Sequence, residues 1–198
     1  MVTKLIFMRH GYLEGNYKDY SKLGFIEFEN LLTKKVNPKL DQEKTKAVLK
    51  VKPFLSDIDF IVCSGESRGI ETAQLVKEIT GLNFETSSLL NEISFTKGII
   101  DNQDIIDFNY LRKKILTRFY HSDHSEDFDE VQKRFLNFLA YIQQFNYDLV
   151  LCITHGWFMR LVYIYSVKKS LEKVSLQELL EAKVPDFLDT IDLEIDNL

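Results

Sequence analysis

Leu5-Ile6-Phe7-Met8-Arg9-His10-Gly11 sets an uninterrupted apolar run against a cation, an imidazole and a glycine. Four apolar residues in a row, stopped this abruptly, read as a strand buried on both faces that ends in a functional loop. The junction recurs twice. Asp59 to Cys63 runs into Ser64 and, a short turn later, Arg68, while Leu149 to Ile153 runs into Thr154-His155-Gly156.

Helical signals fill the spaces between these strands. Asp41 suits the N-cap of a helix running to Leu49, which Pro53 ends or kinks. A helix from about Arg68 to Ile79 closes at Gly81, and Phe84 to Thr86 forms a short third strand. Tyr12 to Asn37 lacks periodicity and reads as a long loop with a helical turn or more around Phe25 to Leu32. Asn91 to Asp127 is irregular, punctuated by Gly98 and Asn102, with a helix from about Asp104 to Tyr120. Val131, Phe135, Phe138, Leu139 and Ile142 keep helical spacing. A helix runs from near Gly156 into Tyr165, Leu171 to Ala182 has helical character, and Ile191, Leu193 and Ile195 alternate with acidic residues as an edge strand does. Strands alternating with helices predict an α/β fold, a three-layer α/β/α sandwich with a mostly parallel central sheet. The 198 residues suffice for one domain, with lid or insertion segments around 12–37 and 91–127.

Composition narrows the partners. A net charge of -5 argues against a nonspecific nucleic-acid binder, which needs clustered Lys and Arg. No window approaches the ~20 apolar residues of a membrane span, and the N-terminal apolar stretch is too short for a signal peptide. A cytoplasmic protein with two reduced core cysteines, Cys63 and Cys152, is expected.

In an open α/β sheet the carboxyl ends of the strands gather along one edge, where ligands bind. Arg9, His10, Arg68 and His155 would meet there. Arginine forks bind phosphate oxygens in pairs, and an imidazole attacks phosphorus when neutral and donates hydrogen bonds when protonated. The helices starting near Arg68 and Gly156 could offer free N–H groups to an anion, with Gly11 and Gly156 leaving room for its approach. Each residue alone has a plainer explanation: Arg9 and His10 as loop polarity, Arg68 as a solvated cation, His155 as a packed loop histidine. A common location for all four is what favours chemistry. His121-Ser122-Asp123-His124 reads as a surface loop rather than a metal site.

These blocks resemble the histidine phosphatase superfamily, the phosphoglycerate mutase-like proteins. Arg9-His10-Gly11 is similar to the family signature, with Asn16 at the position of a further asparagine. Cys63-Ser64-Gly65-Glu66-Ser67-Arg68 resembles the second block, Leu90-Asn91-Glu92 the acidic block, and Thr154-His155-Gly156-Trp157-Phe158-Met159-Arg160 the last, all in family order. The resemblance implies a phosphoglycerate mutase-like fold and a phosphohistidine intermediate on His10. It also implies phosphoryl oxygens held by Arg9, Arg68 and His155, a hydrogen bond from Asn16, and Glu92 as the proton donor and acceptor. No metal or other cofactor is needed, because arginines and imidazolium neutralise the charge. Leu13, Gly65, Glu66 and Trp157 depart from the pattern. Glu66 is expected to repel a highly anionic substrate at the pocket mouth, and Trp157 to narrow one side. The expected activity is a metal-independent phosphatase, histidine acid phosphatase-like, on a small-molecule phosphomonoester, a phosphoprotein remaining open as substrate. A phosphoglycerate mutase-type phosphotransferase and a non-catalytic phosphate-binding protein are the alternatives. Neither nucleic acid nor membrane is an expected partner.

Overall fold

Leu5 and Phe7 enter one core while Ile6 and Met8 enter another, so the first strand is covered by protein on both faces. Val150 and Cys152 share the core of Leu5 and Phe7; Leu151 and Ile153 share that of Ile6 and Met8. The computed structural model describes residues 2–18, 20–101 and 108–196. Its strands are β1 (Val2–Arg9), β2 (Phe60–Ser64), β3 (Phe84–Ser87), β4 (Leu149–Thr154) and β5 (Thr190–Asp196), in the spatial order β3-β2-β4-β1-β5. All pairings are parallel except that of β5, which runs antiparallel along β1.

The helices are α1 (Phe25–Leu32), α2 (Gln42–Leu49), α3 (Ser67–Thr80), α4 (Phe108–Tyr120), α5 (Phe128–Ile142), α6 (Met159–Lys168) and α7 (Leu176–Glu181). Helices α2 and α3 cover one face of the sheet; α1 and α4 to α7 contribute to the core on the other. Phe7 stands 5.8 Å, ring to ring, from both Phe135 and Phe138 of α5, and all three are buried. Burying side chains of this size contributes about 1.5–3 kcal/mol each. The mixed α/β architecture with helices on both sheet faces is the one the strand pattern predicts.

Local signals behave as their chemistry requires. Asp41 caps α2 by accepting the Lys44 N–H, and Gly81 closes α3 with φ 78°. Pro53 opens a short 3-10 helix after α2. Two expectations need correction. Helix α6 begins at Met159 rather than near Gly156, because residues 156–158 form a turn. Regular helix between Leu171 and Ala182 is confined to α7; Lys173 has φ 51°, and the Ser175–Glu178 capping box starts the helix afterwards. The predicted beginning of α4 at Asp104 lies outside the described residues.

Cys63 and Cys152 are buried in β2 and β4 without a disulfide, and burial pushes the Cys63 thiol up to about 12. Among the described residues no helix is long and apolar enough to cross a membrane.

Candidate active site

Sheet register brings the chemistry together. Met8 is level with Ile153, and Ile153 with Cys63, so the residues that follow emerge side by side. The His10 N–H donates to the Thr154 carbonyl at 2.9 Å, and the rings of His10 and His155 stand 5.1 Å apart. His10 is 2% exposed and lines a cavity of about 280 Å³ with Arg9, Arg68 and Glu92.

The His10 ring lies 3.0 Å, through Nδ1, from its own loop's Gly11 carbonyl. A carbonyl only accepts, so Nδ1 carries the proton and the neutral ring keeps its lone pair on Nε2. Burial, then the charges of Arg68 and Arg9, hold His10 well below the usual histidine range. The ring is therefore neutral at pH 7, the state a nucleophile requires. Gly11 is fixed in turn: its N–H donates to Thr72 Oγ1 at 2.9 Å, and that hydroxyl donates to the Arg68 carbonyl at 2.7 Å. One short relay thus joins the loop after β1 to the first turns of α3.

His155 is fully buried, and its Nε2 lies 2.7 Å from Ser64 Oγ. Ser64 Oγ also donates to Asn91 Oδ1 at 3.0 Å, an oxygen fixed as an acceptor by the Gly65 N–H at 2.8 Å. With the hydroxyl proton committed there, His155 Nε2 is the donor to Ser64 and Nδ1 holds the lone pair. Nδ1 has no partner. Burial, then His10, Arg68, Lys34 and Arg9, lower the proton affinity of His155 well below the ordinary value.

Glu92 is held by backbone. Its Oε1 accepts the N–H groups of Ile93 at 3.0 Å and Phe158 at 2.9 Å, and its Oε2 that of Trp157 at 3.0 Å. The donors expected at Gly156 for an anion are thus partly occupied by an internal carboxylate. Burial raises the Glu92 pKa; the three N–H groups oppose that rise and the nearby Glu66 adds to it. Placement of Glu92 follows from Thr154, whose hydroxyl donates to the Leu90 carbonyl at 2.7 Å and ties β4 to the loop.

Both glycines at the site make room for protein rather than for ligand. A Cβ on Gly11 would stand 2.6 Å from Thr45 Oγ1, and one on Gly156 would stand 3.3 Å from Arg9 Cζ. Arg9 lies across Gly156, donates to the Pro185 carbonyl at 3.1 Å, and stacks 4.1 Å over Phe187.

Of the residues picked from the sequence, Arg9, His10, Arg68, Glu92 and His155 converge. Asn16 does not: it is exposed on a 3-10 helix, Gly15–Lys18, and is not among the residues that line the cavity. Leu13 is buried and pairs with Leu40, which gives its departure from the pattern a packing role. Trp157 lines the cavity and packs edge-on against Phe95. Among the described residues no group of three or more His, Cys, Asp or Glu is placed to hold a metal, and His124 is exposed beside Asp123. Lys34 and Phe187 had no sequence signal. Ser64 and Asn91 lie inside the second and the acidic motif blocks, where their hydrogen-bonding side chains are the available signal.

The family model described as the histidine phosphatase superfamily (branch 1) matches residues 5–184. The chain belongs to the histidine phosphatase superfamily. No curated protein sequence matches it significantly. Solved structures similar to this superfamily member include a mycobacterial glucosyl-3-phosphoglycerate phosphatase, at TM-score 0.67 and 16% identity over 98% of this chain and 91% of that one. A phosphoglycerate mutase from Bacillus anthracis superposes at TM-score 0.62 and 16% identity, covering 99% and 89% of the two chains. An alpha-ribazole phosphatase from Shigella flexneri superposes at 0.60 and 19% identity, over 89% and 83%. Identities this low carry the fold, a phosphoglycerate mutase-like one, and not the substrate.

Proposed function

We propose that the protein is a metal-independent phosphatase that hydrolyses a phosphomonoester through a phosphohistidine on His10. The observation that carries this reading is His10 itself: buried, neutral, with its lone pair on Nε2, and flanked by Arg9, Arg68 and His155. Nε2 attacks phosphorus, and the bond from phosphorus to the leaving oxygen breaks. The raised pKa of Glu92 favours a carboxylic acid that gives its proton to that oxygen. The Glu92 carboxylate then takes a proton from water, the water oxygen attacks phosphorus, and the P–N bond returns its electrons to Nε2 as phosphate leaves.

Arg9 and Arg68 neutralise the phosphoryl oxygens throughout. A bound dianion reverses the sign of the field that now disfavours imidazolium at His155, so its unpartnered Nδ1 becomes a donor as substrate arrives. The described residues of segments 12–37 and 91–127 act as the lid. They supply Tyr20, Phe28, Phe95 and Phe108 to the cavity, walls that suit a leaving group with apolar surface better than phosphoglycerate.

An aryl phosphate assay on purified protein tests the reading. Hydrolysis is expected without added metal, unaffected by EDTA and abolished in His10→Ala. Wild-type turnover in His10→Ala would overturn it.

A further inference from the structure

Two buried threonines, one from each helix on the same sheet face, grip the loop that carries His10. Thr72 of α3 accepts the Gly11 N–H at 2.9 Å, and Thr45 of α2 accepts the Tyr12 N–H at 3.0 Å. These N–H groups belong to the peptides on either side of Gly11. The Gly11–Tyr12 peptide bears on the nucleophile, because its carbonyl is the acceptor 3.0 Å from His10 Nδ1. A single planar amide thus meets His10 at its oxygen and Thr45 at its nitrogen. Helix α2 anchors Tyr12 again: the Tyr12 carbonyl accepts the Asp41 N–H at 2.8 Å, and Lys44 Nζ lies 3.8 Å over the Tyr12 ring.

Thr45 is not among the residues that line the cavity, so it has no part in substrate contact. Thr72, Thr80 and Thr117 each donate to the carbonyl four residues back, an ordinary use of threonine in a helix. The Thr45 hydroxyl is turned across to another segment. There it satisfies a backbone donor, and it also polarises what lies beyond. Hydrogen bonds in series strengthen one another in a low-dielectric interior. An acceptor on the N–H of an amide makes its carbonyl a better acceptor, and that carbonyl decides which ring nitrogen of His10 keeps the proton. The effect grows during the reaction. As Nε2 gives its electron pair to phosphorus, the bond to the leaving oxygen breaks and the ring gains positive charge. The Nδ1 proton then leans harder on the Gly11 carbonyl, and the Tyr12 N–H on Thr45, with neither proton leaving its nitrogen.

We propose that Thr45 is a positioning residue for phosphoryl transfer: through the Gly11–Tyr12 amide, its hydroxyl oxygen keeps the proton on His10 Nδ1 and the lone pair on Nε2. The proposal rests on the reading of His10 as the phosphoryl acceptor. Thr72 holds the neighbouring peptide and with it the place of the loop. Thr45 holds the peptide that touches the ring, so a helix outside the cavity sets the chemical state of the nucleophile.

Two substitutions separate the hydroxyl from the packing. Thr45→Val keeps the shape and removes the hydroxyl; Thr45→Ser keeps the hydroxyl and removes a methyl group. In Thr45→Val, kcat/KM for an aryl phosphate should fall about tenfold, the upper end for one neutral hydrogen bond. The inhibition constant of inorganic phosphate should hold, since binding precedes the change at Nε2. Thr45→Ser should regain most of the rate. Long-range proton–nitrogen NMR of isotopically labelled histidine reads the tautomer without turnover, with His10 assigned by its absence in His10→Ala. The Nδ1–H form is expected in the wild type and Thr45→Ser, and a mixture of tautomers in Thr45→Val. A folded Thr45→Val protein that keeps the wild-type tautomer at the wild-type rate would overturn the proposal. So would equal losses in Thr45→Val and Thr45→Ser, the mark of packing alone. If Thr45→Val does not fold, Thr45→Ala takes its place, because alanine and serine differ only in the hydroxyl. If the wild type shows no His10-dependent hydrolysis while the tautomer still depends on the Thr45 hydroxyl, the catalytic reading falls and the control of the ring by Thr45 stands.

Discussion

Glu66 Oε2 stands 3.7 Å from His155 Nε2, and the same oxygen stands 3.7 Å from Arg68 Nη2. A carboxylate is thus already beside two of the groups proposed to hold the phosphoryl oxygens. Its other oxygen binds Lys34 Nζ at 2.7 Å and accepts the Glu92 N–H at 3.1 Å, so the side chain is fixed rather than trailing in solvent. An incoming phosphate meets a like charge at this point. Glu66→Gln keeps the hydrogen-bonding shape and removes the charge. It should tighten inorganic phosphate on the order of tenfold, about 1.4 kcal/mol, read as the inhibition constant or by calorimetry. Unchanged or weaker phosphate binding in a folded Glu66→Gln protein would show that Glu66 helps the site rather than competing with it.

Gly11 offers a steric test. Its hypothetical Cβ meets Thr45, which is fully buried and whose hydroxyl accepts the Tyr12 N–H at 3.0 Å. Thr45 cannot swing away without losing that bond. Gly11→Ala should cost about 1–3 kcal/mol, as overpacking does, and lower Tm by roughly 2–4 °C per kcal/mol in a chain of this length. Gly11→Ala combined with Thr45→Ala should recover part of the loss in a thermal melt. Equal Tm values for wild type and Gly11→Ala would show that the loop accommodates a methyl group.

The strands and the residues at their ends were legible because each is encoded locally: an apolar run, then a polar stop. Arg9, His10, Arg68 and His155 need only the parallel order of β1, β2 and β4 to meet. What escaped is the wiring between segments. Nothing in Gly156-Trp157-Phe158 announces that the Trp157 and Phe158 N–H groups go to Glu92, since that contact depends on how the loop after β3 returns to the sheet. Glu66 was expected to act at the pocket mouth, yet its pairing with Lys34 depends on where the loop after α1 lies. Asn16 illustrates the reverse: a matching position in the sequence does not place a side chain when its short 3-10 helix turns it outward.

Acid stability follows from the two buried histidines. Both have folded pKa values below the ordinary histidine value of 6.5, so the unfolded chain binds protons first as pH falls. Their contribution is fully present above about pH 6.5 and is lost on going down towards the lowered folded values. Glu92, with a raised folded pKa, acts in the opposite sense: its share is present below the ordinary carboxylate value of 4.5 and lost as pH rises through the raised one. Tm should therefore fall from pH 7 to pH 5.5, with a smaller fall in His155→Gln. Saturating phosphate should also reduce the fall, because the bound anion favours imidazolium. A pH-independent Tm would mean that the histidines exchange protons as freely folded as unfolded.

Glu92 separates the proton-transfer step from binding. If its carboxylic acid protonates the leaving oxygen, poor leaving groups depend on it and good ones much less. Glu92→Gln keeps the size, and its amide oxygen can still accept the Ile93 and Phe158 N–H groups that Oε1 accepts while giving up that of Trp157, so the loop after β3 should stay in place. An alkyl phosphate should lose about 10²–10⁴-fold in kcat, the range for removing a general acid, while an aryl phosphate whose phenolate needs no proton should lose far less. The wild-type rate on the alkyl substrate should also decline as pH rises through the raised Glu92 pKa, since the protonated form is the one that acts. That alkaline limb should vanish in Glu92→Gln. Equal losses on both substrates would instead assign Glu92 to positioning, through the Trp157 and Phe158 N–H groups it fixes in the turn into α6.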